Sequence, residues 1–144
     1  MTDFYFAYGS NMSGARLCER IERPERICVA RLAGWRLVYN KPGRDGSGKA
    51  NLVPDAGAHV HGVVWSIAQH DWPILDRFEP GYARTRLAVE AEDDRVHETL
   101  AYLHPTRGPE LVPHAWYVQY LIDGAREHGL PDAYLRALKS VPTR

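Results

Sequence analysis

Arg26-Ile27-Cys28-Val29-Ala30-Arg31-Leu32-Ala33-Gly34-Trp35-Arg36-Leu37-Val38-Tyr39-Asn40 is the stretch that decides the fold. It reads as one long strand, yet its apolar residues change phase along the way. Cys28, Ala30 and Leu32 alternate on even numbers before Gly34, and Trp35, Leu37 and Tyr39 alternate on odd numbers after it. Strand side chains repeat every second residue, so this shift would turn half of the strand inside out unless one residue is bulged. Ala33-Gly34 is the natural place for that bulge. A strand bent in this way lets a small sheet curl toward a barrel.

The flanking segments supply the rest of the sheet and its helices. Upstream, Phe4, Phe6 and Tyr8 alternate with Tyr5 and Ala7 as a strand should, and Ser13 is placed to cap a helix through about Ile21. Downstream, Lys41 to Ala50 is rich in glycine, contains Pro42 and reads as a mobile surface loop. His59 to Ile67 is apolar on both faces, the pattern of a central strand. Asp71 is positioned to cap a short helix with Pro73 in its first turn, which Pro80 ends just after Glu79. Thr85, Leu87 and Val89 then face away from Arg84, Arg86 and Glu90. With the strand from about Arg95 to Leu103 they form an antiparallel hairpin around Glu92-Asp93-Asp94. The last third is helical, with an apolar stripe of Val118, Leu121, Ile122 and Ala125, a stop at Gly129 and a final helix from Pro131 to about Ser140.

With 144 residues, of which 44% are hydrophobic, the chain suffices for one globular domain over residues 1–144 with a buried core. Its 18 basic and 18 acidic side chains cancel, and no long block of one sign appears, so the electrostatic footprint of a nucleic-acid or anionic-membrane binder is missing. No apolar run approaches the roughly 20 residues that span a bilayer. The N-terminus enters a strand without a signal-peptide pattern, which points to the cytoplasm. Cys18 and Cys28 form neither a disulfide framework nor a zinc spacing and read as buried small hydrophobes.

Two motifs mislead. Gly43-Arg44-Asp45-Gly46-Ser47-Gly48-Lys49 matches the start of a phosphate-binding loop, but Ala50 stands where the magnesium-binding hydroxyl belongs, and extended Asn51-Leu52-Val53-Pro54 follows instead of a helix. His59 and His61 lie two residues apart on one side of a strand, with no neighbouring Cys, Asp or Glu to complete a metal site. The chain is therefore read as needing neither metal nor cofactor.

Three features suggest chemistry. In Tyr5-Phe6-Ala7-Tyr8-Gly9-Ser10-Asn11-Met12 a strand runs into a turn and then a capped helix, so free amide donors converge near Gly9, Ser10 and Asn11 in a geometry suited to a carboxylate. The same residues are also ordinary turn chemistry with no ligand. Glu79 sits at a helix C-terminus beside Trp72, Leu75 and Phe78. The dipole and desolvation both raise its pKa, which suits it to take and return a proton; a solvated surface turn is the alternative. Tyr117 lies at the margin of the apolar stripe, where its ring packs and its hydroxyl reaches a partly polar cavity, or where it simply edges the core.

Taken with Cys28-Val29-Ala30-Arg31-Leu32, Val60-His61-Gly62-Val63-Val64-Trp65, Leu75-Asp76-Arg77-Phe78-Glu79 and Gly124-Ala125-Arg126-Glu127-His128-Gly129-Leu130-Pro131, these stretches resemble the gamma-glutamylcyclotransferase family, in order and over nearly the whole chain. The final segment resembles the gamma-glutamylamino acid branch. The resemblance implies an α+β fold, a small mixed β-barrel flanked by helices and often dimeric. It implies a small-molecule gamma-glutamyl substrate that is cyclised to 5-oxoproline with release of an amino acid or amine. Carried over by residue, it implies a substrate-binding loop of Tyr5, Phe6, Ala7, Tyr8, Gly9 and Ser10 with Asn11 beside it. The catalytic glutamate falls on Glu79 and a substrate-contacting tyrosine on Tyr117. One departure is Pro80, where the family commonly has Gly after the catalytic acid. The leaving-group side of the pocket is expected to draw on Lys41 to Ala50 and on Gly81 to Arg84. A module that binds a small carboxylate without turnover, or another acyl-transfer chemistry with Glu79 as base, would use the same residues.

Overall fold

A computed structural model describes residues 1–144 and contains five strands and four α-helices. The strands are β1 (Thr2–Ala7), β2 (Glu25–Pro42), β3 (Gly48–Ala68), β4 (Ala83–Ala91) and β5 (Val96–Leu103). They form a closed barrel in the order β1-β3-β2-β4-β5. All neighbours are antiparallel except the seam, where β1 meets β5 in parallel at Tyr5 and Leu100. The helices are α1 (Gly14–Cys18), α2 (Trp72–Phe78), α3 (Ala115–Glu127) and α4 (Asp132–Lys139). No helix is long and apolar enough to cross a membrane.

The phase change in β2 appears as expected. The pairing of β2 with β3 slips between Ala33 and Trp35, and Gly34 adopts φ +85°, a conformation that a side chain would oppose. Two further slips, at Arg26/Cys28 and Val38/Lys41, add curvature. The long β2–β3 hairpin thereby bends far enough for the opposite end of β2 to reach β4, at Ala30↔Ala91 and Arg31↔Glu90. Phe6, Leu52, Val60, Val63, Val64 and Val89 are almost fully buried, on the two faces of the barrel wall.

The Lys41–Ala50 segment departs from expectation. Half of it is strand: Lys41 pairs with Lys49 and Pro42 with Gly48, leaving a tight turn at 43–47 closed by Gly43 N–H donating to Ser47 O at 2.8 Å. Glycine and proline mark a turn, but they do not reveal what covers it. Here residues 111–112 lie across the hairpin, with Gly48 N–H donating to Val112 O at 3.1 Å and Leu111 N–H to Tyr39 O at 2.9 Å. That strap buries Ser47 and Gly48, while Pro42, Arg44, Asp45 and Gly46 stay at the surface.

Smaller corrections follow the same pattern. The first helix ends at Cys18 rather than near Ile21, although Ser13 caps it as expected by accepting from Arg16 N–H at 3.3 Å. A 3-10 turn, Ser10–Met12, intervenes between the binding stretch and that cap. Asp71 occupies the N-cap position of α2 without capping through its side chain. Cys18 is exposed and Cys28 half-buried, so neither is the core hydrophobe that composition suggests. His59 and His61 pack edge to face at 5.0 Å, and His61 meets Tyr134 at 4.9 Å, so both rings serve as packing surfaces.

Candidate active site

One end of the barrel converges on Glu79. The carboxylate stands at the C-cap of α2, with φ −123° and ψ 56°, where the chain leaves helical geometry ahead of Pro80 and Gly81. It faces an inner pocket of about 30 Å³ lined by Tyr5, Tyr8, Gly9, Ser10, Asn11, Ala50, Tyr82, Tyr102 and Tyr117. That pocket opens into an outer one of about 160 Å³, and the two share Ser10, Glu79, Tyr82 and Tyr117.

Burial dominates the electrostatics of Glu79. Its side chain keeps 18% of its exposure, and burial raises its pKa to about 7 against the opposing pull of Arg20, Arg16, Lys41 and Lys49. Arg20 Nη1 is 3.4 Å from Oε1, and Asn11 Nδ2 donates to the same oxygen at 3.4 Å. The sequence anticipates this direction but misidentifies the wall. Trp72 and Leu75 lie in the core and Phe78 is 47% exposed, so tyrosines, not the flank of the helix, enclose the carboxylate.

The binding stretch divides into pocket-lining residues and purely buried ones. Tyr5, Tyr8, Gly9, Ser10 and Asn11 line the pocket, whereas Phe6 and Ala7 are buried away from it in the barrel core. The N–H groups of Gly9, Ser10 and Asn11 have no acceptor within the chain, while their neighbourhood is held firmly. Met12 N–H donates to Gly9 O at 3.1 Å, Ser13 N–H to Ser10 O at 3.2 Å, and Arg16 Nε to Ser10 Oγ at 3.0 Å. Helix α3 presses against this turn at Gly124, where a side chain would come within 2.6 Å of Met12 Cβ. His128, at the end of the same helix, contacts Met12 O at 2.9 Å and accepts from Arg26 Nε at 3.1 Å. Three unused donors therefore sit on a rigid frame.

Five tyrosine hydroxyls meet here, and burial pushes every one above the ordinary phenol pKa, so they remain neutral. Three spend their protons inside the protein. Tyr8 donates to Tyr102 O, Tyr82 to Ala50 O at 2.6 Å, and Tyr102 to Asp76 Oδ1 at 2.8 Å. The other two accept instead: Tyr5 from Asn11 Nδ2 at 3.0 Å and Tyr117 from Ala50 N–H at 3.0 Å. Tyr5 and Tyr117 thus keep a proton to donate into the pocket. Ala50 is gripped at both backbone groups by tyrosines, which anchors the edge of β3 beside the site.

Ala50, Tyr82, Tyr102, Arg16 and Arg20 are site residues not singled out from sequence. Tyr82 follows Gly81 in a stretch expected near the leaving group, and Lys41, Arg44 and Lys49 come from the other such stretch. Tyr102 carried only a faint signal, a hydroxyl-bearing ring near the end of a buried strand.

The chain resembles known proteins along nearly its whole length. A family model described as the AIG2-like family matches residues 59–138. The human gamma-glutamylcyclotransferase is 30% identical over 146 residues, covering 95% of this chain and 77% of the human protein. The mouse gamma-glutamylcyclotransferase is 30% identical over 149 residues, covering 97% of this chain and 79% of the mouse protein. A solved structure of a gamma-glutamyl cyclotransferase superposes with a TM-score of 0.93 at 28% identity, covering 100% of this chain and 90% of that one.

Proposed function

The chain belongs to the gamma-glutamylcyclotransferase family, with the AIG2-like barrel, and from that premise we propose that it cyclises a gamma-glutamyl compound to 5-oxoproline. The observation that carries this reading is Glu79, the one carboxylate lining either pocket, buried with a pKa of about 7 beside the three unused N–H groups. Such a group is part ionised near neutrality, so it both takes and returns a proton.

The glutamyl α-carboxylate binds the N–H groups of Gly9, Ser10 and Asn11. The α-amine attacks the γ-carbonyl carbon of the same molecule and forms the new ring C–N bond as its proton passes to Glu79. The amide C–N bond then breaks as Glu79 returns that proton to the departing nitrogen. Tyr5 and Tyr117 donate toward the oxygen on which negative charge develops. Nucleophile and electrophile belong to one molecule, so holding it in the folded shape supplies much of the rate.

Glu79→Gln tests the assignment. The substitution keeps the shape of the side chain and removes its basicity, so release of 5-oxoproline should fall by about a thousandfold. Affinity for the substrate, measured by calorimetry, should survive. Undiminished turnover would remove Glu79 from the mechanism, and binding without any turnover by the unmodified protein would leave a carboxylate-binding module.

A further inference from the structure

Ring closure needs a carboxylate site and a proton-moving group, and the inner pocket supplies both. The outer pocket holds something more. Arg16, Arg20, Lys41, Arg44 and Lys49 line it, with Glu79 as the one carboxylate, in a chain whose formal net charge is zero. Arg16 and Arg20 are engaged, with Ser10 and Glu79 respectively. The other three form no ion pair. Lys41 Nζ lies 5.4 Å from the ring centroid of Tyr82, Lys49 Nζ lies 4.4 Å from that of Tyr117, and Arg44 stands at the rim. Asp45, the acid that attracts Lys49, is already bonded to Ser47 and His114, each at 2.6 Å.

Gathering cations in this way is unfavourable unless something anionic enters. Glu79 borders both pockets, so a substrate reacting beside it lays its glutamyl half inward and its departing half in the outer pocket. At about 160 Å³ that space is about five times the inner pocket's 30 Å³. We propose that Lys41, Arg44 and Lys49 read the departing half of the substrate, and that the preferred leaving group is an acidic amino acid carrying two carboxylates. This rests on the cyclisation reading above.

The test is a charge series on one scaffold. Gamma-glutamylbutylamine, gamma-glutamylglutamine and gamma-glutamylglutamate place zero, one and two carboxylates on the departing side, and the last two match in shape. At low salt kcat/KM should rise about tenfold at each step, the size of one charge-assisted contact. The steps should shrink in about 0.5 M salt, which screens a collar open to solvent. The double substitution Lys41→Ala with Arg44→Ala should flatten the last step, with thermal melting to verify folding; the salt series needs no variant. Equal kcat/KM for the glutamine and glutamate compounds at low salt overturns the proposal, as does a preference that salt leaves untouched. Absence of 5-oxoproline from all three compounds would instead defeat the cyclisation reading. The series is then read as affinities for the Glu79→Gln protein, where a graded order supports the collar and equal affinities overturn it.

Discussion

The inner and outer pockets meet at the same carboxylate and handle charge in opposite ways. The inner one surrounds Glu79 with neutral hydroxyls and burial raises its pKa, while the outer one arrays five cations, four of which (Arg20, Arg16, Lys41 and Lys49) pull the pKa down. Burial wins: even with Arg20 at 3.4 Å, the loss of water around the carboxylate outweighs the pull of the cations. Arg20 is spent on Glu79 and Arg16 on Ser10, which leaves Lys41, Arg44 and Lys49 for something else.

That contrast can be sharpened in three ways. The largest effect is on stability. The folded protein holds the Glu79 proton more tightly than the unfolded chain, so stability present below the ordinary value of 4.5 is lost as pH rises through about 7. Glu79→Gln should consequently be more stable than the parent at pH 8 by roughly 1–3 kcal/mol, with the gain shrinking toward pH 4. Urea unfolding at both pH values measures it, and an equal difference at each would mean the inner pocket does not penalise the charge.

Next comes the hydroxyl lining. Tyr117→Phe strands the Ala50 N–H and should cost about 1–2 kcal/mol in urea unfolding. It also removes one of the two free donors, so activity should fall further than with Tyr82→Phe, whose proton is already spent. Equal losses would place Tyr117 on the structural side only.

The smallest effect comes from the collar. With Glu79 as base, kcat/KM should rise with pH around a midpoint of about 7. Lys41 lowers that value, so Lys41→Ala should move the midpoint up by a few tenths of a unit, on the order of a half kcal/mol. A downward shift would contradict the electrostatic account.

Local rules made the bend at Gly34, the Ser13 cap and the turn at Gly9 to Asn11 legible, since each follows from a few adjacent residues. The position of Glu79 at a helix end was equally readable. What enclosed it was not. Tyr5, Tyr82, Tyr102 and Tyr117 come from four separate parts of the chain, and only closure of the barrel brings their hydroxyls together. The 41–50 hairpin failed for a related reason: its order depends on a strap some 65 residues away in sequence, at Leu111 and Val112. Periodicity describes faces, and it is silent on which distant segment will cover them.

The seam between β1 and β5 has a consequence for how the protein is made. Tyr5 pairs with Leu100 across that seam, and Tyr102 lies two residues beyond on the strand that closes it. The first and last strands of the barrel must therefore find each other before the pocket has its walls. Pairings of such long sequence separation are slow to form. A chain emerging from synthesis would remain without a working pocket until β5 has docked and α3 has packed Tyr117 and Gly124 against the site.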